Sequence, residues 1–180
     1  MTDQTVLRVA DLSQNAPTGF DLRPDPEALK ALAGGLGIGD LRKLRFYGQV
    51  AARGRHDWEL TGRLGATVVQ PCVVTLDPVT TRIETDVSRL YLADFTDPGE
   101  SEAEMPDDDR IEPLGRVIDL GAVMAEALSL ALPLYPRKDG AEPGEAVFTR
   151  PGQAPMRDED ARPFAGLAGL RDTLRDKRKD

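Results

Sequence analysis

An α+β fold is predicted by three features of the chain. Residues 41–92 alternate apolar and polar positions and are rich in β-branched side chains, as antiparallel strands are; the turns within that stretch are short, which favours a meander; and residues 120–132 form one apolar segment of helical length. The expected architecture is an antiparallel sheet of about five or six strands, meander-like or partly barrel-like, covered by one or two helices, with a mobile C-terminal arm. At 180 residues the chain suits a single domain with its own core. Its expected limits are residues 1–139, with an acidic loop at 94–112, a linker at 140–162 and an amphipathic helix at 163–178.

The elements follow in order. Residues 7–12 alternate and read as a short N-terminal strand belonging to the sheet. Asp25 is placed to cap a helix, with Pro26 at its first position and Glu27 near the positive end of its dipole. That helix should run to about Ala33, carry Leu29, Leu32 and Leu36 as its apolar stripe, and stop in the glycines from Gly34 to Gly39. Leu44-Arg45-Phe46, Trp58 to Leu64, Thr67-Val68-Val69 and Arg82 to Val87 are strand segments, with turns at residues 52–57 and 77–80. Asp119 should cap the apolar segment and Pro133 stop it. Because apolar residues cover nearly every face of that segment, a central core helix is expected.

Charge is unevenly distributed. The net charge is −8, and between Asp94 and Glu112 nine acids against Arg110 account for all of it. A nucleic-acid partner is therefore not excluded by the sum, since phosphate contact depends on local patches. The lone cysteine cannot form an internal disulfide and the N-terminus has no export-like run, which points to the cytoplasm. The apolar run is broken by Glu126 and Pro133 and falls short of the ~20 residues that span a bilayer, so no membrane role is expected.

Candidate functional residues are few. Arg42, Lys43, Arg45, Arg53, Arg55 and His56 lie in an acid-free stretch flanking the first hairpin, with Arg63, Arg82 and Arg89 able to extend a basic edge and Phe46, Tyr47 and Trp58 close in sequence. Arginine forks beside aromatic rings suit contact with structured RNA. Asp107, Asp108 and Asp109 head an acidic block fit to attract a basic protein; they lack the spacing and turn glycine of a calcium loop. Phe164, Leu167, Leu170 and Leu174 form a narrow stripe that either docks on the domain or fills a partner's groove. Cys72 and His56 are the one thiol–imidazole combination that nucleophilic catalysis would use. The expectation is nevertheless no catalytic residue, because His56 falls in a turn and Cys72 in a strand as a small buried side chain. The glycines at 34–39 follow a helix and precede no Gly-Lys-Ser/Thr, so they do not form a phosphate loop.

The run Trp58-Glu-Leu-Thr-Gly-Arg-Leu-Gly-Ala-Thr-Val-Val-Gln-Pro-Cys-Val-Val-Thr-Leu-Asp-Pro-Val, the acidic insert, Ile118-Asp-Leu, the helix ending in Leu130-Ala-Leu-Pro-Leu-Tyr-Pro and the final Pro163-Phe-Ala-Gly-Leu together resemble the YceD family. These are bacterial and plastid proteins of large-subunit ribosomal RNA accumulation. The resemblance covers residues 41–139, with the C-terminal stretch matching separately. It implies a non-catalytic ribosome-biogenesis factor without a cofactor, whose partner is large-subunit ribosomal RNA, a ribosomal protein, or both. An interaction module with no RNA contact and a Cys/His-dependent enzyme are the alternatives. Many relatives carry a Cys-x-x-Cys pair where this chain has Cys72, and some a second pair after the Leu-Pro segment. Here Thr75 replaces the second cysteine and no thiol follows, so a four-ligand zinc site cannot be assembled.

Overall fold

The computed structural model describes residues 5–95, 108 and 110–142. Seven strands and two helices succeed one another: β1 (Val6–Arg8), β2 (Thr18–Leu22), α1 (Pro26–Gly35), β3 (Asp40–Arg53), β4 (Asp57–Pro71), β5 (Pro78–Leu92), β6 (Ile111–Pro113), β7 (Val117–Asp119) and α2 (Leu120–Ala131). The main sheet has the order β2-β3-β4-β5-β6, antiparallel through β5, with β6 added parallel to the end of β5. The α+β class and the meander are as expected from the sequence, and the sheet is open, not closed into a barrel.

Four expectations are corrected. The N-terminal strand ends at Arg8, turns through a short 3-10 segment at Val9–Asp11, and pairs with β7 in a separate two-stranded sheet. β2 was absent from the sequence reading, being five residues between Pro17 and Pro24. The segments read as separate strands within 41–71 are two strands of 14 and 15 residues. Finally, the acidic loop does not reach residue 112: Ile111 and Glu112 belong to β6, where Leu90 and Tyr91 are their partners.

The strands alternate because one face is covered and the other is open. Phe46, Val50, Leu60, Leu64, Ala66 and Val68 face inward and are fully buried. The inward face is shaped by glycine at one point. Gly48 and Gly62 are directly opposed, and a Cβ on Gly62 would lie 2.9 Å from the Phe46 ring and 3.3 Å from Phe20. The two rings occupy that hollow, their centroids 4.9 Å apart.

Both helices begin as the sequence foretold. Asp25 accepts from Ala28 N at 2.8 Å, and Asp119 from Ala122 N at 2.9 Å. α1 packs on β3 and α2 on β4, β5 and β1. α2 is one-sided, unlike the expectation: Leu120, Val123, Met124, Ala127 and Leu128 are buried, whereas Leu130 is 76% exposed. Helical spacing explains this, since those five positions share one face.

Candidate nucleic-acid interface

The outward face of β2, β3, β4 and β5 carries no covering element among the described residues, and it gathers arginines. Asp21 and Tyr47 are cross-strand neighbours, as are Tyr47 and Arg63. Arg45 lies one step, and Arg82 two steps, along the same face. Asp21 serves two cations: Arg45 binds it with two hydrogen bonds of 2.8 and 2.9 Å, and Arg23 adds two more at 3.0 and 3.4 Å. Arg45, then Arg23, hold the Asp21 carboxyl at about 2, well below its ordinary value. Glu84 likewise serves Arg82 at 3.2 Å and Arg63 at 3.1 Å, which lower its pKa in that order.

Four guanidiniums therefore share two carboxylates, and Asp86, opposite Arg63, offsets one of the two excess charges. Arg45, Tyr47, Arg63, Arg82 and Glu84 line a groove of about 340 Å³ over Gly65. A Cβ there would stand 2.7 Å from the Arg82 guanidinium, so a larger residue would make that side chain swing aside. The Arg45 guanidinium lies over the Tyr47 ring, 4.4 Å from its centroid. The result is a flat, cationic, partly aromatic surface of the kind that phosphates and unstacked bases meet.

The six basic residues singled out from the sequence do not form one edge. Arg42 pairs with Asp40, and Lys43 sits at a β-bulge with φ 51°, where the β3–β4 register shifts between Arg42 and Arg45. Arg53, Arg55 and His56 are at the opposite end of β3, in the hairpin tip, where Arg53 reaches Glu59 at 3.8 Å. With ~3.3 Å per residue, the two groups stand roughly 30 Å apart. Arg63 and Arg82 do extend the Arg45 surface. Arg89 does not: it points inward, 14% exposed, and joins β5 to β6 and α2 through Glu112 at 2.9 Å and Glu126 at 3.2 Å. Asp21 and Arg23 were missed by sequence reasoning, although the alternation Phe20-Asp21-Leu22-Arg23 carried the signal.

Asp108 is bound by Arg110 at 2.7 and 2.8 Å, which holds its carboxyl at about 2. Asp107, Asp109, Phe164, Leu167, Leu170 and Leu174 lie outside the described residues, as do the linker from residue 143 and the C-terminal helix.

Cys72 is fully buried, but it follows β4 and does not lie within it. It sits in a turn closed by Leu76 N donating to Cys72 O at 2.9 Å and by Cys72 N donating to Asp77 O at 2.7 Å. Its Sγ receives the backbone N–H groups of Val74 and Thr75 at 3.4 Å and of Lys138 at 3.5 Å. The Thr75 side chain, followed by these amides, lowers the thiol to about 6. Thr75 thus donates to sulfur from the position of the missing second cysteine, and among the described residues no group of three His, Cys, Asp or Glu could hold a metal ion. A zinc site around Cys72 does not fit the described residues. His56 lies at the other end of the 15-residue β4, on the order of 45 Å from Cys72, so the two cannot act as nucleophile and base.

Among the described residues no helix is long and apolar enough to cross a membrane. No curated protein and no solved structure matches the chain. The family model for the large ribosomal RNA subunit accumulation protein YceD matches residues 60–171, from near the start of β4 onward. That match spans well over half of the 180 residues, and the chain belongs to the YceD family, the large ribosomal RNA subunit accumulation proteins.

Proposed function

We propose that this protein supports large-subunit ribosomal RNA accumulation in the cytoplasm as a non-catalytic factor that contacts the RNA with the open face of its sheet. The observation that carries this is the set of four guanidiniums on two carboxylates around Tyr47, on the sheet face that no described element covers. Rigid strands hold these donors in place, so phosphate contact costs little ordering of long side chains. Arg42 and Lys43 at the bulge, and Arg53, Arg55 and His56 at the hairpin tip, supply contacts at the two ends of the same strands. The acidic block, including Asp107, Asp108 and Asp109, serves a basic ribosomal protein. Phe164, Leu167, Leu170 and Leu174 serve that or another partner as an apolar stripe.

Binding of large-subunit RNA fragments over a salt series tests the proposal. Log affinity should fall linearly with log salt, and Arg45→Ala, Arg63→Ala and Arg82→Ala should each reduce the slope by about 0.7 to 0.9. Absent or salt-independent binding would overturn it. Pairing of every arginine in the groove with an acid favours a second reading, a protein-interaction module without RNA contact. Co-purification of the same partners after RNase treatment, with no RNA affinity, would select that second reading.

A further inference from the structure

β5 pairs with β4 along its whole length, but on its other side, among the described residues, only Leu90–Leu92 has a strand partner, β6. Leu90 N donates to Arg110 O on that side. Residues of the same parity, Thr80, Arg82, Glu84, Asp86 and Ser88, therefore aim their backbone N–H and C=O groups at the open edge. No described backbone group pairs with them. The carbonyls of Asp86 and Ser88 instead accept from the side chains of Thr85 and Arg89. An edge of this length is a template for another strand unless its side chains forbid pairing.

We infer that a second copy of this chain fills it, edge to edge and antiparallel, about a two-fold axis beside Ile83. In this register Arg82 of each copy faces Glu84 of the other, and Thr80 faces Asp86, so no like charges are opposed on the outward face. On the inward face Ile83 meets Ile83, Thr81 meets Thr85 and Val79 meets Val87, all β-branched pairs suited to a sheet. The neighbouring register, centred on Glu84, would oppose two carboxylates and is disfavoured. A second observation falls at the same place. Beside this edge a groove of about 330 Å³ is lined by Val87, Ala127, Leu130 and Ala131, and Leu130 projects there, 76% exposed. In this register Val79 of the other copy lies opposite Val87, so each Leu130, which lines the groove beside Val87, is set next to the Val79 end of the other strand, which accounts for a large apolar side chain left in water. The paired strands add about eight backbone hydrogen bonds and merge two five-stranded sheets into one.

Sedimentation of the full chain over a concentration series tests the dimer. The expected result is a mass that doubles with concentration. Arg82→Glu should weaken association about tenfold or more by opposing carboxylates twice per dimer, and the exchange Arg82→Glu with Glu84→Arg should restore it. Circular dichroism melting confirms that each variant folds. Independently, Thr80→Cys with Asp86→Cys in one chain should oxidise to a covalent dimer, since these positions face each other only across the axis. A chain monomeric at every concentration, a dimer indifferent to Arg82→Glu, or one that the cysteine pair fails to link would each overturn the inference. So would a monomer whose 80–88 amides become protected only when an extended peptide of another protein is added.

Discussion

Replacing Asp21 with Asn should make the protein less stable and better at binding RNA. Asp21 is 14% exposed and ties Arg45 of β3 and Arg23 to β2 by four hydrogen bonds. Its carboxyl is held at about 2 against an ordinary value of 3.8, and at ~1.36 kcal/mol per unit this sets an upper limit near 2.5 kcal/mol. Arg45 and Arg23 are 42% and 64% exposed, so water and salt screen the pair and about 1 to 1.5 kcal/mol is the expected loss. The sign follows from the depressed value. The carboxylate stabilises the fold fully above about pH 4, and that contribution disappears as pH falls through about 2. Urea denaturation of the natural protein and of Asp21→Asn should thus differ by a constant amount from pH 5 to 8 and converge near pH 2. Removing one negative charge also frees Arg45, so RNA affinity should rise and the salt slope steepen by about 0.7 to 0.9. Equal stability at pH 7, or a gap that persists at pH 2, would refute the electrostatic account. Weaker RNA binding by the folded variant would refute the role given to Arg45.

Other perturbations have equally direct outcomes. Gly62→Ala drives a methyl group into the Phe46 and Phe20 rings and should cost about 1 to 3 kcal/mol in chemical denaturation. Arg89→Ala leaves Glu112 and Glu126 without their shared cation and should cost about 1 to 2 kcal/mol, with the amides of β6 exchanging faster while those of β3 stay protected. Asp119→Ala removes the cap of α2 and should cost about 1 kcal/mol by the same measurement. The Cys72 thiol, held at about 6 against an ordinary 9.0, adds stability that is complete above pH 9 and gone below pH 6. Thr75→Val should raise that titration, followed by thiolate absorbance, and flatten the rise in stability between pH 6 and 9.

Much of the fold was legible because it rests on local chemistry. Asp25-Pro26 and Asp119 announce helix starts that no tertiary contact needs to supply. The alternation through β3, β4 and β5 reports a sheet covered on one side. What escaped depended on partners distant in sequence. β1 looked like a member of the main sheet, and only β7, over a hundred residues later, decides otherwise. β6 was hidden because three residues after an acidic run carry no period of their own. Arg89 looked like its neighbours Arg63 and Arg82, yet strand parity turns it to the opposite face. The candidate surface was half legible for the same reason. Arginine-rich composition marked it, but the strand register decided that Arg45, Arg63 and Arg82 meet while Arg53 and Arg55 stand apart, and the two acids they share were not paired with them by sequence alone.

The length of β3, β4 and β5 has a mechanical consequence. Each has 14 or 15 residues, on the order of 45 to 50 Å when extended, and they are bonded to one another nearly throughout. Such a plate bends little, so the hairpin tip with Arg55 and His56 and the far turn with Cys72 keep a set separation. On the proposed reading, an RNA gripped at both ends of the plate would be held over more than one turn of duplex, and a strand that slipped its register would change the spacing in steps of two residues, about 7 Å, if its faces are to stay inward and outward.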